Sequence, residues 1–297
     1  MENLKEYLLD EYAKRSYYNI YTKNILLDSS LISQSKRKKT DIKVIECGDY
    51  IQVYYYPENT YITDKNKEEM KFRSVLTKSI GETPKSYGLR KIEKKNINRS
   101  KHNLQKIVKC NESIFKTFIT LTFANNMTDI KETNKIFNVW RSNLKRIIPD
   151  FAYVCVPEFQ KRGAVHYHMM TNIAYTDLSV LSKDEVKIYS KVSGWQVGKN
   201  IKGWNYGYSL VVNMKDQNVI GYLTKYFTKD IDDRLFAQHR FFYSQNLKKP
   251  TEYLFNLRDF YDYINTSEFN EYSNVVYSTA YKDTFDNDIY FVEYKKN

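Results

Sequence analysis

Two histidines and a glutamate lie close together in the stretch VPEFQKRGAVHYHMM, Val156 to Met170. His166 and His168 are two of only four histidines in the chain, and a single tyrosine separates them. Alternate side chains of a strand point to the same face, so in a strand the two imidazoles share one face. Two imidazole nitrogens and a carboxylate oxygen can hold a divalent cation and leave coordination positions open for water and substrate. This spacing therefore predicts a catalytic metal site.

A β-hairpin is predicted to bring the glutamate to the histidines. AYVCVPEF and VHYHMMTNI read as strands, and in the turn QKRGA between them Gly163 can take the positive φ of a tight turn. If the chain reverses at Arg162, Glu158 lies directly across from His166, with Cβ atoms about 4.5 to 5.5 Å apart. Pro157 cannot donate to a ladder, and a bulge there would turn Glu158 away from the cluster. The alternative interpretation is that the histidines only fill a half-buried strand.

A second motif, DQNVIGYLTKYFTKD, is predicted to be a helix that begins after Asp216. Tyr222 and Tyr226 are four residues apart on one face of it, and each is followed three residues later by a lysine, Lys225 or Lys229. Periodicity alone would place both phenols in the core. A tyrosine beside a metal-bound phosphate can also act as a nucleophile, provided that the ion and the lysines favour a phenolate whose ordinary pKa is about 10.

The surrounding elements indicate an α+β protein. Strands are predicted for YIQVYYYP, TFITLTF and YSLVVNM, an amphipathic helix for Asp129 to Ile148, and a further helix for Asp177 to Trp195. Because the hairpin interrupts the alternation of strands and helices, an antiparallel sheet with helices on one face fits best. We expect an N-terminal accessory region over 1–110, the sheet domain over 111–250, and a C-terminal extension packing on that core over 251–297.

The chain has a large positive charge, +12 with an isoelectric point near 9.2. GLRKIEKKNINRSKHNLQKIVK concentrates this charge and contains one acid, Glu93. A solvated basic helix and a surface that follows nucleic-acid phosphates explain the segment about equally well. The basic residues of this segment that we select as DNA contacts are Arg90, Lys91, Lys94, Lys95, Arg99 and Lys101.

Composition and spacing argue against several other classes. The three cysteines form no CxxC pair, so neither a disulfide framework nor a thiolate zinc site is predicted. No window reaches the run of about 18 apolar residues that spans a bilayer, so a cytoplasmic protein without a membrane partner is expected. GWQVGKN has the wrong interval for a Walker nucleotide-binding loop.

Taken together, FITLTF, EFQKRGAVHYH and YLTKYFTKD resemble, in order and spacing, the three motifs of the HUH endonucleases, specifically the rolling-circle replication initiators of small phages and plasmids. The resemblance covers about Lys116 to Pro250. The doubled tyrosine is similar to the two-tyrosine initiators of isometric single-stranded DNA phages, and RFFYSQNLKKP to a segment of initiators from low-GC Gram-positive bacteria and their phages. The implied fold is ferredoxin- or RRM-like: an antiparallel sheet of four or five strands, with the histidine strand central and the tyrosine helix against it.

The resemblance also implies a role for individual residues. The ligands of Mg²⁺ or Mn²⁺ would be Glu158, His166 and His168. The nucleophiles, which form a 5′-phosphotyrosine and free a 3′-hydroxyl, would be Tyr226 and Tyr222, with Lys229 and Lys225 assisting at the phosphate. Thr120 and Thr122 would line the site, and Arg162 would contact DNA.

The implied function is metal-dependent, origin-specific nicking and joining of single-stranded DNA in a bacterial cytoplasm. Its partners would be the origin duplex, a host helicase and a host DNA polymerase, since the chain carries no helicase motif. Transposases and relaxases of the HUH type share the chemistry and remain alternatives. A catalytically inactive DNA-binding regulator would explain the charge but would leave EFQKRGAVHYH without a role.

Overall fold

The structure, a computed structural model, describes residues 38–39, 41–57, 61–62, 84–190, 194–214, 239–282 and 288–297. The strands are β1 (Lys38–Lys39), β2 (Ile42–Cys47), β3 (Tyr50–Tyr55), β4 (Tyr61–Ile62), β5 (Thr117–Leu121), β6 (Tyr153–Phe159), β7 (Val165–Thr171), β8 (Leu181–Ser190), β9 (Gly194–Ile201), β10 (Ser209–Asn213), β11 (Phe242–Tyr243), β12 (Thr251–Phe255), β13 (Asn274–Lys282) and β14 (Asp288–Lys295). The helices are α1 (Pro84–Cys110), α2 (Ile130–Ile147), α3 (Leu257–Ile264) and α4 (Ser267–Asn270), with a 3-10 turn at Glu112–Ile114.

Two compact units make up the chain: residues 88–249, and residues 1–87 together with 250–297. The first unit contains a seven-stranded sheet in the order β11-β6-β7-β5-β10-β9-β8, and every neighbouring pair is antiparallel. The predicted α+β antiparallel fold is thus confirmed. The histidine strand β7 lies in the interior of this sheet, between β6 and β5.

Helices pack on both faces of the seven-stranded sheet, whereas helices on one face were predicted. The predicted amphipathic helix forms α2, which packs on one face through an apolar stripe that includes Phe137, Trp140 and Leu144, and Asp129 caps its N-terminus. The C-terminal half of α1 packs on the other face, where Leu104 and Val108 are buried against sheet residues. The prediction of a single helical face was wrong because the basic composition of α1 conceals its sparse apolar stripe.

The segment predicted as a helix over Asp177 to Trp195 forms instead the edge strand β8, paired with β9. The cause is a period of two: Val186 and Ile188 are half-buried, while Lys187 and Tyr189 are exposed. Gly194, with φ of 67°, supplies a left-handed residue at the start of β9. The hairpin extends the sheet beyond the four or five strands that the resemblance implied.

The second unit contains a five-stranded antiparallel sheet in the order β12-β2-β3-β14-β13. Its core joins residues from both ends of the sequence, including Val44 and Val53 from the N-terminal side and Phe260 and Phe269 from the C-terminal side. The predicted accessory region and the predicted C-terminal extension therefore contribute strands to one sheet. Among the helices that the structure describes, none combines the length and apolar character needed to cross a membrane.

Candidate active site

The hairpin β6–β7 places the glutamate and the histidines as the spacing predicted. Glu158 pairs with His166, Val156 pairs with His168, and the register runs through Pro157 without a shift. The turn is closed by hydrogen bonds at Gln160, and Gly163 takes φ of 89°. Because no bulge interrupts the register, the carboxylate and both imidazoles lie on one face of the sheet.

Glu158 and His168 are in direct contact. Nε2 of His168 donates a hydrogen bond to Oε2 of Glu158 at 2.6 Å. Nδ1 of the same ring lies 3.3 Å from Oγ1 of Thr120, and the ring of Phe118 stacks on it with centroids 5.9 Å apart. A carboxylate, a hydroxyl and an aromatic ring therefore fix the orientation of a side chain whose residue is only 5% exposed.

The imidazole of His166 contacts a residue of the hairpin turn. Nδ1 of His166 lies 3.3 Å from Nε2 of Gln160, and Oε1 of Gln160 accepts a hydrogen bond at 3.0 Å from Nε of Arg162. Gln160 was not among the residues predicted for the site. The signal was available, since Gln160 follows Glu158 by two positions and the period of a strand continues to the same face.

The donor set fits a divalent cation in its chemistry. Imidazole and carboxylate are ligands that such ions accept, and the contact between Nε2 of His168 and Oε2 of Glu158 brings one of each together beside His166. Within the described part of the chain, no three His, Cys, Asp or Glu side chains already have the spacing of a formed metal centre. An ion between Glu158 and His168 would therefore displace the proton that these two side chains share.

Tyr167, between the two histidines, lies on the opposite face. Its hydroxyl donates to Oδ1 of Asn134 at 2.7 Å, and its ring stacks on Phe137 of α2. Burial raises the pKa of Tyr167 above its ordinary value, so the phenol remains neutral at physiological pH. This tyrosine is part of the core and is not a candidate nucleophile.

The structure separates the residues predicted to contact DNA. Thr120 lies beside His168, whereas the hydroxyl of Thr122 bonds to the backbone of Tyr208 and serves strand pairing. Arg162 is exposed on the hairpin turn. The basic residues of the α1 segment all fall within that helix: Arg90, Lys91, Lys94, Lys95, Arg99 and Lys101.

Helix α1 has a positive electrostatic environment on the same side of the sheet as the histidines. Partial burial of the ring, and then the charges of Lys106, Lys101 and Lys109, lower the pKa of His102. Arg99 is exposed. The buried residues of α1 pack against the sheet face that carries His166 and His168, so the basic helix lies on the same face as the candidate site.

The predicted tyrosine helix lies outside the described residues. The residues concerned are Tyr222, Lys225, Tyr226 and Lys229. The segment that follows them returns to the sheet: β11 pairs with β6 through Phe242. The chain on both sides of the predicted helix is thereby tied to the sheet that carries the histidines.

Comparison with known proteins identifies a related family for the sheet unit. Residues 116–231 match a family of replication-associated proteins, described under the name Replication-associated protein ORF2. The matched range contains β5, the hairpin β6–β7 and both predicted tyrosines. The chain is also 28% identical over 130 residues to the Phasyl DNA replicon protein arp of Escherichia coli, an alignment that covers 39% of this chain and 44% of that relative.

The chain thus spans less than half the length of this curated relative. No solved structure gave a significant match. Both similarities are to proteins of DNA replication, and the family match falls on the segment that contains the candidate site.

Proposed function

We propose that the chain is a rolling-circle replication initiator that nicks and rejoins single-stranded DNA at an origin through a 5′-phosphotyrosine intermediate. One observation carries the proposal most directly. Glu158 contacts His168 beside His166 on an interior strand, within the segment that matches a replication-associated family. A regulator that only binds DNA has no need for this donor set, whereas a phosphoryl-transfer enzyme does.

Glu158, His166 and His168 would hold Mg²⁺ or Mn²⁺, which when bound supplies positive charge to the scissile phosphate. Thr120 and Phe118 hold the ring of His168 in the orientation that directs Nε2 toward Glu158. Oriented ligands of this kind keep the phosphate in line with an attacking group.

Tyr226 attacks the phosphorus in this proposal. Its Oη–P bond forms, the P–O3′ bond breaks, and the proton lost from the phenol is balanced by the proton that the leaving 3′-oxygen takes up. Lys229 stabilises the developing charge, while Tyr222 and Lys225 repeat the same reaction when the regenerated origin is cut. The phosphotyrosine conserves the bond energy for rejoining, and the 3′-hydroxyl serves as the primer for a host DNA polymerase.

Binding to the origin precedes this chemistry. The net charge of +12 and the basic helix α1 attract phosphates of the duplex and of the exposed strand. Scission requires a single strand, so a host helicase would keep the duplex open after the first cut. The related transposase and relaxase activities use the same reaction, and the replication-associated family match favours initiation.

A nicking assay on single-stranded DNA tests the proposal. A random-sequence library is incubated with the protein and Mn²⁺, and the products are separated under denaturing conditions. We expect cleaved DNA with protein covalently attached, and loss of both when the ion is chelated. Tyr226→Phe should abolish the adduct. Retention of intact DNA without cleavage would identify a binding protein and contradict the proposal.

A further inference from the structure

Gln160 interacts with both His166 and Arg162, and these contacts define how its amide is oriented. A guanidinium N–H can only donate, so Oε1 of Gln160 must face Nε of Arg162, at 3.0 Å. The amide nitrogen therefore faces Nδ1 of His166, at 3.3 Å. In this arrangement Nδ1 accepts, and the proton of the neutral imidazole is on Nε2.

That tautomer is the wrong one for binding an ion through Nε2. A ligating imidazole nitrogen carries no proton, and the second ring nitrogen then donates its N–H to an acceptor. Gln160 has such an acceptor in Oε1, which reaches Nδ1 if the amide turns over and releases Arg162. Gln160 is half-buried and Arg162 is exposed at the turn, so water can replace the contact that Arg162 loses.

We propose that Gln160 is a positioning residue for His166, whose amide turns over as the ion binds and then accepts a hydrogen bond from Nδ1–H. This inference rests on the metal centre of the proposed function and adds to it a residue and a conformational step. Thr120 has the same place beside Nδ1 of His168, but its hydroxyl can donate or accept by rotating. The amide of Gln160 can accept a hydrogen bond only through Oε1, so it must turn over to place Oε1 instead of Nε2 beside Nδ1 of His166.

Mn²⁺ affinity, measured by titration of the whole chain without DNA, tests the inference. Gln160→Met keeps the length of the side chain and removes both polar atoms, so the Kd for Mn²⁺ should rise about 10- to 100-fold. Gln160→Glu supplies only acceptors and should restore binding to at least the wild-type affinity. Lys161→Met, an exposed neighbour in the same turn, is the matched control and should bind as the wild type does.

The imidazole nitrogen resonances of His166 give an independent measurement. In wild-type protein labelled with ¹⁵N-histidine, the proton should be on Nε2 without an ion and on Nδ1 at saturating Mg²⁺. A His166→Asn variant assigns the signals. A proton that stays on Nε2 when Mg²⁺ binds would overturn the inference.

These measurements distinguish a wrong metal centre from a wrong role for Gln160. If the wild type binds no Mn²⁺, the metal centre itself is wrong and the inference fails with it. If the wild type binds Mn²⁺ and Gln160→Met binds it equally well, the metal centre stands and only the role of Gln160 is overturned. Melting curves recorded without metal separate a folding defect from a binding defect, and the Gln160→Glu variant decides the case if Gln160→Met does not fold.

Discussion

The contact between Glu158 and His168 decides what the site can do at the scale of single residues. The pairing of β6 with β7 holds the carboxylate and the imidazole on one face, and their polar atoms meet at 2.6 Å. Such a pair can exchange a shared proton for a divalent ion at little cost in rearrangement, because both groups are already desolvated and aligned. The site is therefore expected to be preorganised in all but the amide of Gln160 and the tautomer of His166.

His168→Ala removes one member of this pair and leaves the carboxylate of Glu158 without its nearest donor. We expect metal-dependent cleavage to be abolished and the affinity for Mn²⁺ to fall by at least about 10-fold, as is usual when a site loses a ligand or the group that orients one. Titration calorimetry with Mn²⁺ and the nicking assay measure the two effects.

Tyr167→Phe is the control for this substitution. It deletes a buried hydroxyl that bonds to Asn134 on the opposite face of the same strand. It should lower the free energy of unfolding by about 1 kcal/mol and leave Mn²⁺ binding unchanged. Equal Mn²⁺ affinity in His168→Ala and the wild type would remove His168 from the site.

At the scale of elements, the sequence predicted those helices and strands whose formation depends on residues that are near one another in the chain. The hairpin β6–β7 could be predicted from its two strand-forming segments and from Gly163 in the turn between them, and α2 from its apolar stripe. The hairpin β8–β9 could not, because its exposed edge strand contains Lys183, Asp184 and Glu185, which suit a solvent-exposed helix equally well. This segment is a strand because it pairs with β9, and the residues of the segment alone do not indicate that pairing.

Gly198 reveals how closely β9 approaches β10. A Cβ built on Gly198 would lie 2.2 Å from the carbonyl oxygen of Val211, a backbone atom that cannot move aside. We expect Gly198→Ala to lower the free energy of unfolding of this unit by about 1 to 3 kcal/mol, the usual cost of overpacking. Urea unfolding followed by tryptophan fluorescence measures it selectively, because all three tryptophans of the chain lie within residues 88–249.

Val197→Ala is the matched control for Gly198→Ala. Val197 is the adjacent residue of β9, and its side chain is 45% exposed. Its truncation should change the free energy of unfolding by less than about 0.5 kcal/mol. If both variants unfold at the same urea concentration, the close approach of β9 to β10 does not constrain the sheet.

At the scale of the whole molecule, the least predictable feature is the sheet shared by the two ends of the chain. β12 pairs with β2, and β14 pairs with β3, although these partners lie roughly two hundred residues apart in sequence. Its β-branched and aromatic content identified the β3 segment as a strand but carried no information about its partner. The placement of Glu158, His166 and His168 on one face was predictable because these residues are close in sequence, whereas the assembly of the second unit is not local at all.

The charge of the molecule should govern its affinity for DNA. Arg99 is exposed on α1, on the sheet face that carries the histidines. Arg99→Gln should weaken single-stranded DNA binding and reduce the slope of log K against log salt concentration by about 1. Fluorescence anisotropy at several salt concentrations measures both quantities.

Arg146→Gln provides the comparison, because Arg146 is exposed on α2, which packs on the opposite face. This variant should bind DNA with the wild-type salt dependence. Equal losses in the two variants would mean that the attraction comes from the overall charge and that the α1 side is not a specific DNA surface.

The proposed function requires that a metal centre on the histidine face holds a phosphate for attack by a tyrosine. Mass spectrometry of the DNA-linked peptide, recovered after cleavage of single-stranded DNA in the presence of Mn²⁺, identifies the attacking residue. We expect a nucleotide 5′-phosphate on Tyr226 of the wild type, and no linked peptide from Tyr226→Phe or from His168→Ala. Cleavage that leaves no DNA on any tyrosine would contradict the proposed function.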